Sequence, residues 1–357
     1  MKSRIKSIDG LRAICVLGVI WIHCWTFSGN PQFFCLGIDL YKVIAIVGNG
    51  VDFFFVISGF FMYSVAYGKI NSFSQYLIFI KNRWLRLAPA YYSAICVYAI
   101  LKWIENSHFN FIYQSIFHFL FLNNVITGNT ISGIFWSLGT EWHFYMLVPL
   151  IFFASIRFGF YQIITLLFLS SLLFSGLMHK GYIEFDKWQY QIFIRFPEFA
   201  WGLIMAHIFY IRVKLPNFIY TNKGLFLGLF LAYVCRVSKY TPLLEAAKEY
   251  EWILNTLADP VMTFGFSLIL LSVLLSENQV LSFLKSKLVI YLGKISFSIY
   301  LWHSLVLGLV TQMISTSINS LLHPILLFIL VTLVTVFIAH FSYRFLELPY
   351  FKRKQHV

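Results

Sequence analysis

The stretch Asp9–Phe27, "DGLRAICVLGVIWIHCWTF", decides the fold. It follows the basic head "MKSRIK", and an apolar run of about 20 residues is long enough to cross a bilayer as a helix. Yet Arg12 stands at its start and His23 deep inside it, two residue types that hydrocarbon disfavours. Residues eleven apart lie within roughly 20° of the same helical face and about 16 Å apart along the axis. One face of this helix therefore carries a guanidinium near its edge and an imidazole well inside. Arg12 reads plainly as a topology anchor that snorkels to the interface, and His23 as a histidine bonded to a neighbouring helix. Ionisable residues inside a membrane are also functional-site candidates. The head resembles a signal peptide, but no small-x-small cleavage site follows it. We read the segment as a retained first span.

Working outward, the same reading extends along the chain. Of 357 residues, 59% are hydrophobic and only 11% charged, against about a quarter charged in soluble domains. The expected fold is all-α: a polytopic helical membrane bundle, because only helices and closed barrels satisfy the backbone in lipid and no alternating strands are seen. About ten spans are expected, at roughly 9–28, 43–66, 85–104, 138–156, 161–178, 191–210, 224–240, 255–275, 291–313 and 321–344. The run 109–122 is expected to lie at the membrane surface or to re-enter as a loop. Lys and Arg place both termini in the cytoplasm: Lys2, Arg4 and Lys6 at the head, then Lys69, Lys81, Arg83 and Arg86, with Lys352, Arg353 and Lys354 at the tail. That arrangement needs an even number of spans. Residues 1–357 read as one transmembrane domain with no soluble part.

The net charge of +13 is topological rather than a nucleic-acid footprint, because no basic cluster is interleaved with stacking aromatics outside the spans. Cys15, Cys24, Cys35, Cys96 and Cys235 are scattered, with no CxxC or His-rich pairing, so no metal is expected.

Four further stretches carry chemistry-bearing residues. In "GNGVDFFFVISGFFMY", Asp52 begins an apolar helix and needs a partner or an aqueous mouth, Ser58 adds a hydroxyl, and Gly50 and Gly59 permit close helix approach. In "KNRWLRLAPAYY", Arg83 and Arg86 share a helical face at the expected cytoplasmic start of the third span. Two such forks suit a phosphate or pyrophosphate, or simply anchor the helix. In "GIFWSLGTEWHFYMLVPL", Glu141 enters an apolar helix with Tyr145 one turn on. This carboxylate can accept a proton, bond a hydroxyl or orient His23, or merely favour a helix start. In "LGKISFSIYLWHSLVL", Ser296, Tyr300 and His303 form one polar face. The end "YRFLELPYF" reads as a helix terminus salt-bridged between Arg344 and Glu347, stopped by Pro349.

Together, "RAICVLGVIWIH", "GVDFFFVISGFF", "RWLRLAPAY", "WSLGTEWHFY" and "GKISFSIYLWH", in that order from Asp9 to about Pro349, resemble acyltransferase family three, the integral membrane O-acyltransferases of bacterial surface glycans. The resemblance implies a multi-pass protein of the bacterial inner membrane that takes acyl groups from a cytoplasmic acyl-CoA, usually acetyl-CoA. It passes them to a hydroxyl of a lipid-linked or periplasmic polysaccharide such as O-antigen or exopolysaccharide. The chain looks like the stand-alone type, without the C-terminal esterase-like domain of many relatives.

Carried onto this sequence, the resemblance puts His23 at the centre of catalysis. Glu141 or Asp52 would orient its ring, and Arg12, Arg83 and Arg86 would hold the donor's phosphates. His23 would either take the acceptor's hydroxyl proton or attack the thioester itself. Ser58, Trp136, Tyr145, Tyr300 and His303 are the substrate-side candidates. The expected partners are acyl-CoA, a glycan acceptor, membrane lipids and other glycan-assembly proteins, with no nucleic acid and no metal. The competing expectation is a transporter or flippase for a glycan or lipid intermediate, which ten spans and intramembrane charge also suit.

Overall fold

The structure, a computed structural model, describes residues 5–35, 38–105, 110–125, 131–238, 245–275, 279–313 and 323–353. The anchoring residues Lys2, Arg4 and Lys354 lie outside the described residues, as do 109, 239–240 and 321–322 from the expected segments. The longer helices are α1 (Lys6–Phe27), α2 (Gly50–Ala66), α3 (Phe73–Glu105), α4 (Phe111–Phe119), α5 (Trp136–Phe158) and α6 (Phe160–His179). They continue with α7 (Ile192–Ile211), α8 (Asn222–Ser238), α9 (Glu251–Leu275), α10 (Lys287–Lys294), α11 (Ser296–Met313) and α12 (His323–Ser342). A π-helical turn, Tyr343–Glu347, follows α12. The described strands are two-residue pieces, Phe34–Cys35 paired antiparallel with Ile38–Asp39.

This is an all-α polytopic membrane fold. Among the described residues, seven helices are long and apolar enough to cross a bilayer, and α10 with α11 makes an eighth if the bent pair is one span. Helices do stand at all ten expected positions. However, α8 has only 17 residues, and α5 carries Glu141, His143 and Arg157 in its sequence. The ninth expected span is not straight: it bends by 73° between Lys294 and Ser296. The third begins at Phe73 rather than 85, so Arg83 and Arg86 lie in the body of a 33-residue helix and not at its start. The run near 109–122 forms the short helix α4, capped by Asn110, whose side chain accepts from Tyr113 N at 3.0 Å. On α12 the side chains Leu326, Ile329, Leu333 and Phe337 are exposed apolar surface, which suits lipid and not water.

The chain divides into two compact units, Met1–Val51 with Leu85–Phe109 and Asn278–Val357, and Asp52–Trp84 with Asn110–Glu277. In the first, α1 is the buried centre, with Ile8, Val16, Ile20 and Cys24 sealed from solvent. Gly50 meets the Cys15 carbonyl so closely that a Cβ would collide with it, which is why a small residue stands there. In the second, α2 and α7 cross at Gly59 and Gly202. A Cβ on Gly59 would strike the Phe199 carbonyl, and one on Gly202 the Val56 carbonyl. The "SGFF" stretch is thus a packing notch.

Candidate active site

In the first unit the functional side chains come from α1, the later part of α3, α11 and the turn after α12. His23 Nδ1 lies 3.0 Å from His303 Nε2, with the ring centroids 5.1 Å apart and 26° between the ring planes. His303 is fully buried, and its Nδ1 lies 2.7 Å from the Tyr300 carbonyl oxygen. A turn of α11 brackets this ring. There the Tyr98 hydroxyl donates to the Leu301 carbonyl at 3.1 Å and accepts from Leu305 N at 2.8 Å. Those two backbone groups are four apart, the pair a helical hydrogen bond would join, so the hydroxyl bridges the ladder beside His303.

Toward the other end of α1, Arg12 and Arg86 both act on the Glu347 carboxylate. Glu347 is buried and accepts from Ser298 Oγ at 2.5 Å, with Ser342 Oγ 3.0 Å from the same hydroxyl. This corrects the expected Arg344–Glu347 salt bridge. Arg344 is exposed, whereas Glu347 points inward. The reason is the π-helical turn, which widens the helix and breaks the i, i+3 alignment that the sequence spacing suggested. Sequence reasoning missed Ser298 and the inward role of Glu347. A carboxylate in an apolar helix end was the available signal.

In the second unit, Ser58 Oγ donates to Glu141 Oε1 at 3.0 Å, and the Tyr145 hydroxyl donates to the same oxygen. The i, i+4 spacing of Glu141 and Tyr145 on α5 brings these two together as expected. Asp52 is held by Arg195: Nη1 lies 3.3 Å from Asp52 Oδ1, 2.8 Å from Glu198 Oε1 and 4.0 Å from Asp259 Oδ2. Arg195 Nε donates to the Gln189 carbonyl at 3.0 Å. Its guanidinium sits 5.1 Å from the centre of the Trp136 ring, which in turn stacks on Tyr190 at 4.4 Å. Trp136 is therefore engaged by a cation and an aromatic partner. Arg195 and Glu198 were passed over inside the apolar run 191–210, although two ionisable residues in a span are themselves a signal. Arg83 is buried, with its guanidinium 5.6 Å from the Phe79 ring centre. No group of three or more metal-ligating side chains is found among the described residues.

An all-α multi-pass membrane protein, with a histidine pair on two of its helices and a buried carboxylate on which two arginines act, is the class that fold and side chains define. A family model described as an acyltransferase domain matches residues 5–344, and the chain belongs to that acyltransferase family. The resemblance read from five ordered motifs is borne out. Among relatives, O-acetyltransferase OatA of Staphylococcus aureus (strain NCTC 8325 / PS 47) is 27% identical over 380 residues, 98% of this chain and 57% of OatA. The chain thus spans little more than half the length of that relative. A protein of Acidianus two-tailed virus named "Putative acetyltransferase ORF330" is 25% identical over 306 residues, 85% of this chain and 84% of its own. No solved structure matches the chain.

Proposed function

We propose that the protein is a multi-pass O-acyltransferase of the bacterial inner membrane. It moves an acetyl group from cytoplasmic acetyl-CoA to a hydroxyl of a lipid-linked or periplasmic surface polysaccharide. The observation that carries the reading is the His23–His303 contact on α1 and α11, in a chain of the acyltransferase family whose relative OatA is named an O-acetyltransferase. In the proposed reaction His23 takes the proton from the acceptor hydroxyl as that oxygen attacks the thioester carbonyl. The C–O bond forms and the C–S bond breaks. The proton then passes from the imidazolium to the departing thiolate, which leaves as coenzyme A. Arg12 and Arg86, sharing Glu347, bind the donor's phosphates.

The test uses purified protein in lipid nanodiscs with radiolabelled acetyl-CoA and isolated lipid-linked glycan. Label appearing as base-labile ester on the glycan, with release of free coenzyme A, supports the reading. Glycan crossing a vesicle membrane unmodified, with no acetyl-CoA consumed, overturns it in favour of a transporter.

A further inference from the structure

The hydrogen-bond partners of His303 determine where the protons sit on both rings. The Tyr300 oxygen is a carbonyl and can only accept, so His303 Nδ1, 2.7 Å away, carries a hydrogen. A carbonyl oxygen has two lone pairs, so this contact does not compete with the helical bond of the same group. His303 is fully buried. The groups acting on its ring are the Tyr300 and Ile299 carbonyls and a second imidazole, none of them an anion that would compensate a cation, so the ring is neutral. A neutral imidazole has one N–H, which leaves His303 Nε2 bare. That bare nitrogen lies 3.0 Å from His23 Nδ1, so His23 Nδ1 must be the donor; the Val19 carbonyl, which also accepts from the His23 ring, then shares that same N–H in the neutral ring. The lone pair of His23 is then on Nε2.

We propose that His303 is a positioning residue, which holds His23 in the Nδ1–H tautomer through a chain running from His23 to His303 to the Tyr300 carbonyl, so that His23 Nε2 is the atom that accepts the proton. The inference rests on the acyltransferase reading above and deepens it. His303 itself touches no reacting atom. When His23 Nε2 takes the acceptor's proton, the Nδ1–H bond to His303 is already made, so the ring needs no reorientation as it becomes charged. His303 accepts from the imidazolium as a carboxylate does in other base–orienter pairs. The two ring planes lie only 26° apart, which lets the His23 N–H point along the His303 lone pair. The Tyr98 hydroxyl, bridging Leu301 and Leu305, fixes the turn that carries His303.

Two measurements test this. The first is ¹⁵N spectroscopy of the histidine-labelled wild-type protein in lipid, with His23 and His303 assigned by single substitution. A protonated Nδ1 and bare Nε2 on His23, with protonated Nδ1 on His303, is the expected result. A protonated Nε2 on His23 overturns the proposal, whatever the activity of the protein. The second is kinetic. His303→Phe keeps a ring of similar size but no acceptor, and is expected to lower kcat about 100-fold with little change in KM for acetyl-CoA. His303→Gln restores an acceptor oxygen and is expected to recover at least about tenfold over the Phe variant. Wild-type kcat in His303→Phe sinks the positioning role alone. Absence of acetyl transfer in the wild type sinks the acyltransferase reading instead, and the spectrum still decides the tautomer.

Discussion

Ser298 Oγ donates to Glu347 Oε1 at 2.5 Å, tying the first turn of α11 to the π-helical turn that follows α12. The carboxylate it fixes is buried and is the one on which Arg12 and Arg86 both act. One serine hydroxyl thus orients the counter-charge of two arginines whose common carboxylate partner the sequence did not reveal.

Removing that carboxylate leaves two cations without their shared partner and Ser298 without its acceptor. Glu347→Ala is expected to cost about 3–5 kcal/mol of stability. Glu347→Gln, which still accepts from Ser298, is expected to cost less. Thermal unfolding in detergent, read on the fluorescence of a fused reporter, ranks the two; equal stability of Glu347→Ala and wild type contradicts the arrangement.

Arg86→Ala is expected to raise KM for acetyl-CoA about tenfold or more while kcat changes little, as loss of a charge-assisted phosphate contact does. Arg86→Lys keeps the charge but not the two-pronged fork and should fall between. Initial rates against donor concentration separate these cases. A fall in kcat at unchanged KM would remove Arg86 from donor binding.

Arg195 holds Asp52 and Glu198 from two different helices while lying on the Trp136 ring. Arg195→Ala leaves buried carboxylates uncompensated and is expected to cost about 3–5 kcal/mol. Arg195→Lys should restore only part of this, because an ammonium lacks both the flat ring contact and the fork. Denaturant unfolding of the three proteins measures the ladder, and an Arg195→Ala protein as stable as wild type removes the cluster from the core.

The crossing of α2 and α7 depends on two missing side chains. Gly59→Ala puts a methyl group into the Phe199 carbonyl, and the overpacking is expected to cost about 1–3 kcal/mol. The melting temperature should fall without a change in KM for acetyl-CoA, since no residue assigned to the donor lies at this contact.

The apolar stretches were legible because lipid imposes a minimum length and composition on anything that crosses it. His23 and Arg12 were legible for the same reason, as charges where lipid tolerates few. The ten residues Phe73–Asn82 were not read as helix, because Gln75, Lys81 and Asn82 interrupt the apolar pattern although the backbone continues through them. Glu347 was misassigned because spacing arguments assume 3.6 residues per turn, and a π-helical turn breaks that register. The polar face of Ser296, Tyr300 and His303 was visible in the spacing, but the contact with His23 was not. Those histidines are 280 residues apart in the chain, and no local pattern encodes which distant ring will meet which.

The central claim is that the His23 imidazole performs the transfer, and acetyl transfer by His23→Ala tests it most directly. The account predicts a protein that inserts, elutes as a single species and melts near the wild-type temperature, yet forms no acetyl ester on the glycan. A His23→Ala protein that acetylates glycan at the wild-type rate contradicts it.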